Sequence, residues 1–228
     1  MTSDVNILVN ILQNLILKNN KFLKLYQRLR KQYGHPQEQW KLWCKRPKTT
    51  KEKEEIIIGA ILTQRTNWRN VKKALDCLKE SGNLSLKNVY NLGQKKQATL
   101  AQLIKPCGFY KTKSRYLFEI AKFFKKNGGI KKIEKLSLNE LRQKLLVLLG
   151  VGPETADSIL LYALGKPIFV IDEYTRRLLL KKKIISTKQK ISYDYLQKLF
   201  RDNLPKNYKL YQDFHALIVV DGKSSHQK

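Results

Sequence analysis

The stretch "LLGVGPETADSILLYALGKPIFVIDEYTRRLL", residues 148–179, constrains this chain more than any other. Two amphipathic segments meet at Gly150-Val151-Gly152, a turn so short that helices on either side must fold back on one another. On the N-terminal side, Ser137 and Glu140 form a capping-box pattern ahead of Leu138, Leu141, Leu145 and Leu148 on one face. On the C-terminal side, Pro153 suits a first helical turn, and Ala156, Ile159, Leu160 and Ala163 share a face. Glycines at a turn permit positive φ and close backbone approach, and free N–H groups at a helix start favour an anion such as a phosphate. A purely structural helical hairpin would show the same turn, so the turn alone does not establish chemistry. Eighteen residues after Glu154, itself a first-turn acid, a single carboxylate, Asp172, interrupts the apolar run "IFVID".

Elsewhere the pattern is helical almost throughout. Leu8, Ile11, Leu15 and Leu17 begin an amphipathic stripe that Ser3 or Asp4 can cap and Gly34 can stop. "EEIIIGAILTQRTNWRNVKKALDCLKES" predicts a helical region broken near Thr63 to Asn67, "SLKNVYNLGQKKQATLAQLIKP" two shorter helices, and "YKTKSRYLFEIAKFFKKNGG" one that ends at Gly128 and Gly129. The last helix, "YQDFHALIVVDGKSSHQK", is expected to fray after Gly222. No alternating stretch demands a sheet, so the expected fold class is all-α.

Charge narrows the partner. Against 18 Asp and Glu stand 46 Lys and Arg, a formal charge of +28 that points to a polyanion, although lysine enrichment also accompanies adaptation to heat. Runs such as "KRPKTTKEKEE" and "LKKKIISTKQKIS" read as solvated loops that add nonspecific attraction for such a partner. Cys44, Cys77 and Cys107 lie too far apart for a paired metal motif and read as ordinary thiols of a reducing compartment. Apolar runs are too short for a bilayer, and the N-terminal segment has no basic start or cleavage site, so an intracellular protein with no membrane partner is expected.

The extended pattern "LLxLxGVGxxTAxxI", an apolar segment and then Asp resembles the helix-hairpin-helix DNA glycosylases of the endonuclease III superfamily. "GAILTQRTNWRNVKKAL" is similar to that family's early helix pair, and "IKPCGFYKTKSRYLFEIAKFF" to its "IxxxGxYxxKAxxI" segment, in the same order along the chain. The resemblance implies two helical lobes with a DNA-binding cleft between them. One lobe would be built discontinuously from residues 1–50 and 160–228, the other from 51–159, with the hairpin at about 137–165. It implies that Leu149, Gly150, Val151 and Gly152 bind phosphate through backbone N–H groups, with Thr155 and Arg176 also on DNA. It further implies that Gln64 fills the gap left by an extruded base and that Asp172 is the catalytic carboxylate. Cutting an N-glycosidic bond builds positive charge on the sugar, which an ionised carboxylate stabilises while a water attacks. The nucleotide must first leave the stack.

Two departures from the family sharpen the expectation. Where strand-cleaving members carry a lysine that attacks the sugar, this chain has Glu154, and a carboxylate forms no imine. Unless another lysine such as Lys166 substitutes, the reaction should stop at an abasic site. The four-cysteine iron–sulfur loop of many relatives does not follow "DGKSSHQK", so no metal and no cofactor is expected. Among cluster-free relatives, "ETADSILLYA", "DEYTRRL" and "FHALIV" are most similar to the 3-methyladenine DNA glycosylase III group, whose substrates are alkylated purines.

Such lesions are cationic and suit an aromatic sandwich, for which Trp40, Trp43 and Trp68 are candidates, each equally readable as a packing residue. Tyr174 and Lys223 are further pocket candidates, Arg176 and Arg177 can reach phosphates or simply face solvent, and His215 reads as a core histidine. Three functions are compatible with these residues: a monomeric, monofunctional glycosylase acting on alkylated purines in double-stranded DNA; the same fold acting on oxidised, deaminated or mismatched bases; or a DNA-binding protein without catalysis.

Overall fold

The computed structural model describes residues 20–186 and 191–224, and every regular element among them is helical. They form two compact units: Gln37–Val170 is one, and the other joins the N-terminal segment up to Pro36 to the chain from Ile171 onward. Residues 37–50 and 160–170 therefore lie with the hairpin rather than with the termini.

In the unit built from the two chain ends, α1 (Lys21–Tyr33) starts at Asn20, whose side chain accepts the N–H groups of Phe22 and Leu23, and stops at Gly34 with φ 66°. The stop at Gly34 is where the sequence puts it. The stripe expected to begin at Leu8, with its caps at Ser3 or Asp4, lies in residues 1–19, outside the described residues. Buried Phe22, Leu25 and Leu29 fill the core with two rings from the C-terminal part of the chain, Phe22 meeting Phe200 edge-on at 4.9 Å and Phe200 meeting Phe214 at 5.9 Å.

The hairpin-bearing unit contains α2 (Gln39–Trp43), α3 (Thr50–Leu62), α4 (Trp68–Glu80), α5 (Leu86–Lys95), α6 (Gln97–Leu103), α7 (Tyr110–Lys126), α8 (Ile130–Ile133), α9 (Leu138–Leu146) and α10 (Pro153–Ser158). Its centre is α3, begun by a reciprocal capping box between Thr49 and Glu52. From Ile56 to Leu62 every residue of α3 is buried, the mark of a helix enclosed on all sides. Each isoleucine there contributes about 1.5–3 kcal/mol relative to exposure. The break between α3 and α4 falls at 63–67, as the Thr, Gln and Asn cluster predicts.

After α10 the helix widens into one π turn, Ile159–Ala163, whose five residues are all buried. Nothing in the sequence pattern signals it, because an apolar run buried all round has no face to keep in register.

The end-built unit is completed by α11 (Glu173–Lys181), α12 (Tyr193–Asn203) and α13 (Tyr208–Ser224). Residues 225–228, where fraying is expected, lie outside the described residues, and α13 continues through Gly222 to Ser224. The reason is packing: a Cβ on Gly222 would sit 2.3 Å from Tyr174 Cδ1, so the glycine is there to admit a ring rather than to end a helix.

Candidate functional site

The hairpin forms as its residues require. Ser137 accepts the Glu140 N–H at 3.2 Å, while Glu140 pairs with Lys144 at 3.7 Å instead of completing the capping box. Pro153 occupies the first turn of α10. One of the two glycines takes the left-handed conformation, Gly150 at φ 80°, whereas Gly152 caps α10 at φ −85°. The Tyr116 ring from α7 lies where a side chain on Gly150 would be, 2.2 Å from an added Cβ. Val151 is buried and its N–H is engaged by Leu148 O at 3.1 Å. The Val151 N–H is thus satisfied within the turn, beside an exposed Leu149. Behind the turn, Arg142 grips the fully buried Asp157 with two parallel bonds of 2.8 and 3.2 Å, fixing α9 against α10.

Gln64 and Thr155 come together at this turn. The Gln64 amide donates to Gly150 O at 2.8 Å and to Thr155 Oγ1 at 3.1 Å. Thr155 is buried and its hydroxyl faces Gln64, so it supports the hairpin from inside. Next to Gln64, Arg65 holds φ 51°, a left-handed conformation rare outside glycine.

Three residues of this region are not singled out by sequence alone. Lys113 is buried, and its ammonium donates to Leu62 O and to Cys107 O, both at 2.8 Å, so a single side chain ties the end of α3 to the turn before α7. Burial pushes its amine down and the Cys107 thiol up. The signal is present in register: Lys113 occupies the position that Leu117, Ile120 and Phe124 continue on the buried face of α7. On the turn that Lys113 anchors, Phe109 stands 63% exposed at φ 47°, a second strained loop tip. Tyr116 is the third, and nothing short of a structure pairs it with Gly150.

In the end-built unit, Asp172 is the N-cap of α11. Its Oδ1 accepts the Thr175 N–H at 2.7 Å, and its Oδ2 lies 3.4 Å from Nε2 of His215 on α13. The side chain is 13% exposed. Burial, the largest single influence, pushes the carboxyl up; the charge and ring of His215 and the bonds from Thr175 more than reverse this and hold it below the ordinary aspartate range. The positive end of α11 favours the same anion. His215, read from sequence as core, is buried as expected but stands against the candidate carboxylate.

The remaining candidates divide. Trp40 and Trp43 are buried and cluster with each other and with Tyr162, at centroid distances of 5.2 to 5.8 Å, as packing residues do. Trp68 meets Trp43 edge-on at 6.0 Å and keeps part of its surface open. Arg176 donates to Ile191 O at 3.1 Å, which anchors the segment leading into α12, and Arg177 pairs with Glu173 at the surface. Tyr174 packs on Gly222, with exposed Lys223 the next residue. Glu154 is exposed in the first turn of α10. Lys166 donates to the carbonyls of Glu134 and Leu136, both at 2.8 Å.

Comparison with known proteins agrees with this arrangement. Residues 58–206 match the model of the HhH-GPD superfamily of base excision DNA repair proteins. The chain belongs to that superfamily. A protein of Methanocaldococcus jannaschii, provisionally assigned as a DNA repair glycosylase, is 41% identical over 210 residues, 89% of each chain. Among solved HhH-GPD structures, H. pylori 3-methyladenine DNA glycosylase bound to 1,N6-ethenoadenine is 26% identical, with a TM-score of 0.69 over 90% of this chain and 97% of that one. A trapped endonuclease III–DNA covalent intermediate shares the fold at 17% identity, with a TM-score of 0.67 over 87% of this chain and 83% of that one. The HhH-GPD chain is thus a DNA repair glycosylase by family. No helix among its described residues is long and apolar enough to cross a membrane.

Proposed function

We propose that the protein removes alkylated purines from double-stranded DNA by hydrolysing the N-glycosidic bond and stops at the abasic site. The observation that carries this reading is the held anion: Asp172 is ionised well below neutral pH and fixed at a helix N-terminus, with its last open edge at the surface. Charge of that kind stabilises an oxocarbenium-like sugar and orients an attacking water. Gly150 and Gly152 present N–H groups to a phosphate, and the Gln64 and Phe109 loop tips serve the space an extruded nucleotide leaves.

Alkylated purines are favoured by the likeness to the H. pylori enzyme and by chemistry: a cationic base departs without strong leaving-group protonation. Trp68, with surface to spare, is the aromatic for such a base. Trp68→Ala should lower excision kcat/KM about 10-fold, the scale of one base–aromatic stack, with duplex affinity little changed. Equal losses in both would assign Trp68 to general DNA contact. Trp43→Ala should instead cost about 3–5 kcal/mol of stability, as expected of a core tryptophan.

Hydrolysis rather than imine chemistry is supported by the placement of the amines. Glu154 stands where the strand-cleaving relatives have their lysine, and Lys113 and Lys166 are each held by two carbonyls. Another amine, Lys48, is brought down to about 8 by burial. Incubation with duplexes carrying methylated, oxidised, uracil or mismatched bases, with and without borohydride, tests the whole reading. Release should be fastest for methylated purines, strand breaks should need alkali, and no covalent adduct should form. An adduct would overturn the hydrolytic step, and Lys48→Gln would then show whether that amine forms it. No release from any duplex would leave a DNA-binding role.

A further inference from the structure

The geometry points to His215 as a positioning residue for Asp172, one that holds the carboxylate in a single orientation from across 3.4 Å. This rests on the reading of Asp172 as the reacting carboxylate. The two oxygens of Asp172 have separate tasks. Oδ1 accepts the Thr175 N–H at 2.7 Å and so caps α11, which any helix-capping aspartate would do. Oδ2 lies 3.4 Å from His215 Nε2, a separation long for a hydrogen bond and short for an ion pair.

His215 sits in a run of α13, Tyr211–Val219, that is buried throughout. A polar ring taken into such surroundings costs free energy unless something compensates it, and a carboxylate on the neighbouring helix is the strongest compensation available. The approach is fixed at two points. Two helical turns beyond His215 on the same face of α13, Gly222 receives the Tyr174 ring, and Tyr174 is two residues after Asp172. The tight contact at Gly222 therefore sets the register in which His215 meets the carboxylate.

The other charged groups near these elements have partners of their own or face water. On α11, Arg177 pairs with Glu173 and Arg176 donates to Ile191 O. On α13, Asp221 accepts from Tyr33 of α1 at 2.9 Å, Lys223 is exposed, and Asp213 has its own contacts. Among the described residues, His215 is the basic group within 4.0 Å of Asp172.

The test is a carbon-13 titration of the Asp172 carboxyl in the full chain, with the resonance assigned by its loss in Asp172→Asn. In the unsubstituted protein the carboxyl should stay ionised as pH falls past about 3.9, the ordinary aspartate midpoint. In His215→Gln, which keeps a polar side chain without the imidazole, the midpoint should rise by about one pH unit or more, and in His215→Phe at least as far. Excision needs the anion, so the acid limb of kcat/KM should move to higher pH by the same amount, with duplex affinity within about two-fold.

A carboxyl that titrates at or above the ordinary value in the unsubstituted chain would overturn the inference without any variant. So would a midpoint unmoved in a folded His215→Gln protein. Absence of excision by the unsubstituted protein would count against the glycosylase reading and leave the titration to decide the role of His215.

Discussion

Replacing Asp172 by asparagine is expected to lower base excision by on the order of 10³-fold while duplex affinity stays the same or improves, the magnitude being that of a lost transition-state charge. Asparagine is the informative substitution because Asp172 has two duties. As N-cap of α11 it accepts the Thr175 N–H at 2.7 Å, and asparagine caps helices about as well as aspartate. Alanine would remove the cap as well, at about 1 kcal/mol, and confound folding with chemistry. What asparagine removes is the negative charge. Beside a polyphosphate that charge is a liability for binding and has a use only in the reaction. Single-turnover excision and filter binding on the same lesion duplex check the prediction. Proportional loss of both, or full activity, would place the reacting group elsewhere.

Much of this site could be read from the chain because its local rules are strong. Pro153, Gly150 and Ser137 each specify a backbone state, and the Thr63–Asn67 cluster can only interrupt a helix, so the hairpin and the break between α3 and α4 appear where sequence puts them. Asp172 stands out because an acid after an apolar run needs a reason. What the chain does not show has one physical cause: it depends on contacts between residues distant in the chain. That Gly222 makes room for the Tyr174 ring shows in neither residue's neighbours. The two acceptors of the Gln64 amide, Gly150 O and Thr155 Oγ1, lie 86 and 91 residues away. His215 reads as core because burial is written in its neighbours, whereas its partner lies on another helix. Lys113 is the exception, since a lysine in register with Leu117 and Phe124 breaks the pattern of α7 openly.

Gly150 and Gly152 look interchangeable in sequence, and the structure separates them. Gly150→Ala should cost about 1–2 kcal/mol for a side chain in the left-handed region. Overpacking against Tyr116, whose ring lies 2.2 Å from the new Cβ, should add about 1–3 kcal/mol. For a chain of this size each kcal/mol lowers Tm by about 2–4 °C, so a fall of several degrees is expected. The variant can relieve the clash only by rotating Tyr116 away or by shifting the turn. Shifting the turn moves Gly150 O off the Gln64 amide and misdirects the N–H of Gly152, so duplex affinity should fall more than 10-fold, equivalent to about 1.4 kcal/mol. Gly152→Ala is the contrasting case. At φ −85° with no atom within 4 Å of an added Cβ, it should leave Tm unchanged. Any loss of affinity it causes must then arise in the complex, where a methyl group meets the DNA backbone. Thermal melting and binding measured on both variants thus separate a glycine required by the fold from one required by the phosphate. A stable, fully binding Gly150→Ala protein would mean that the hairpin holds no defined conformation for DNA to use.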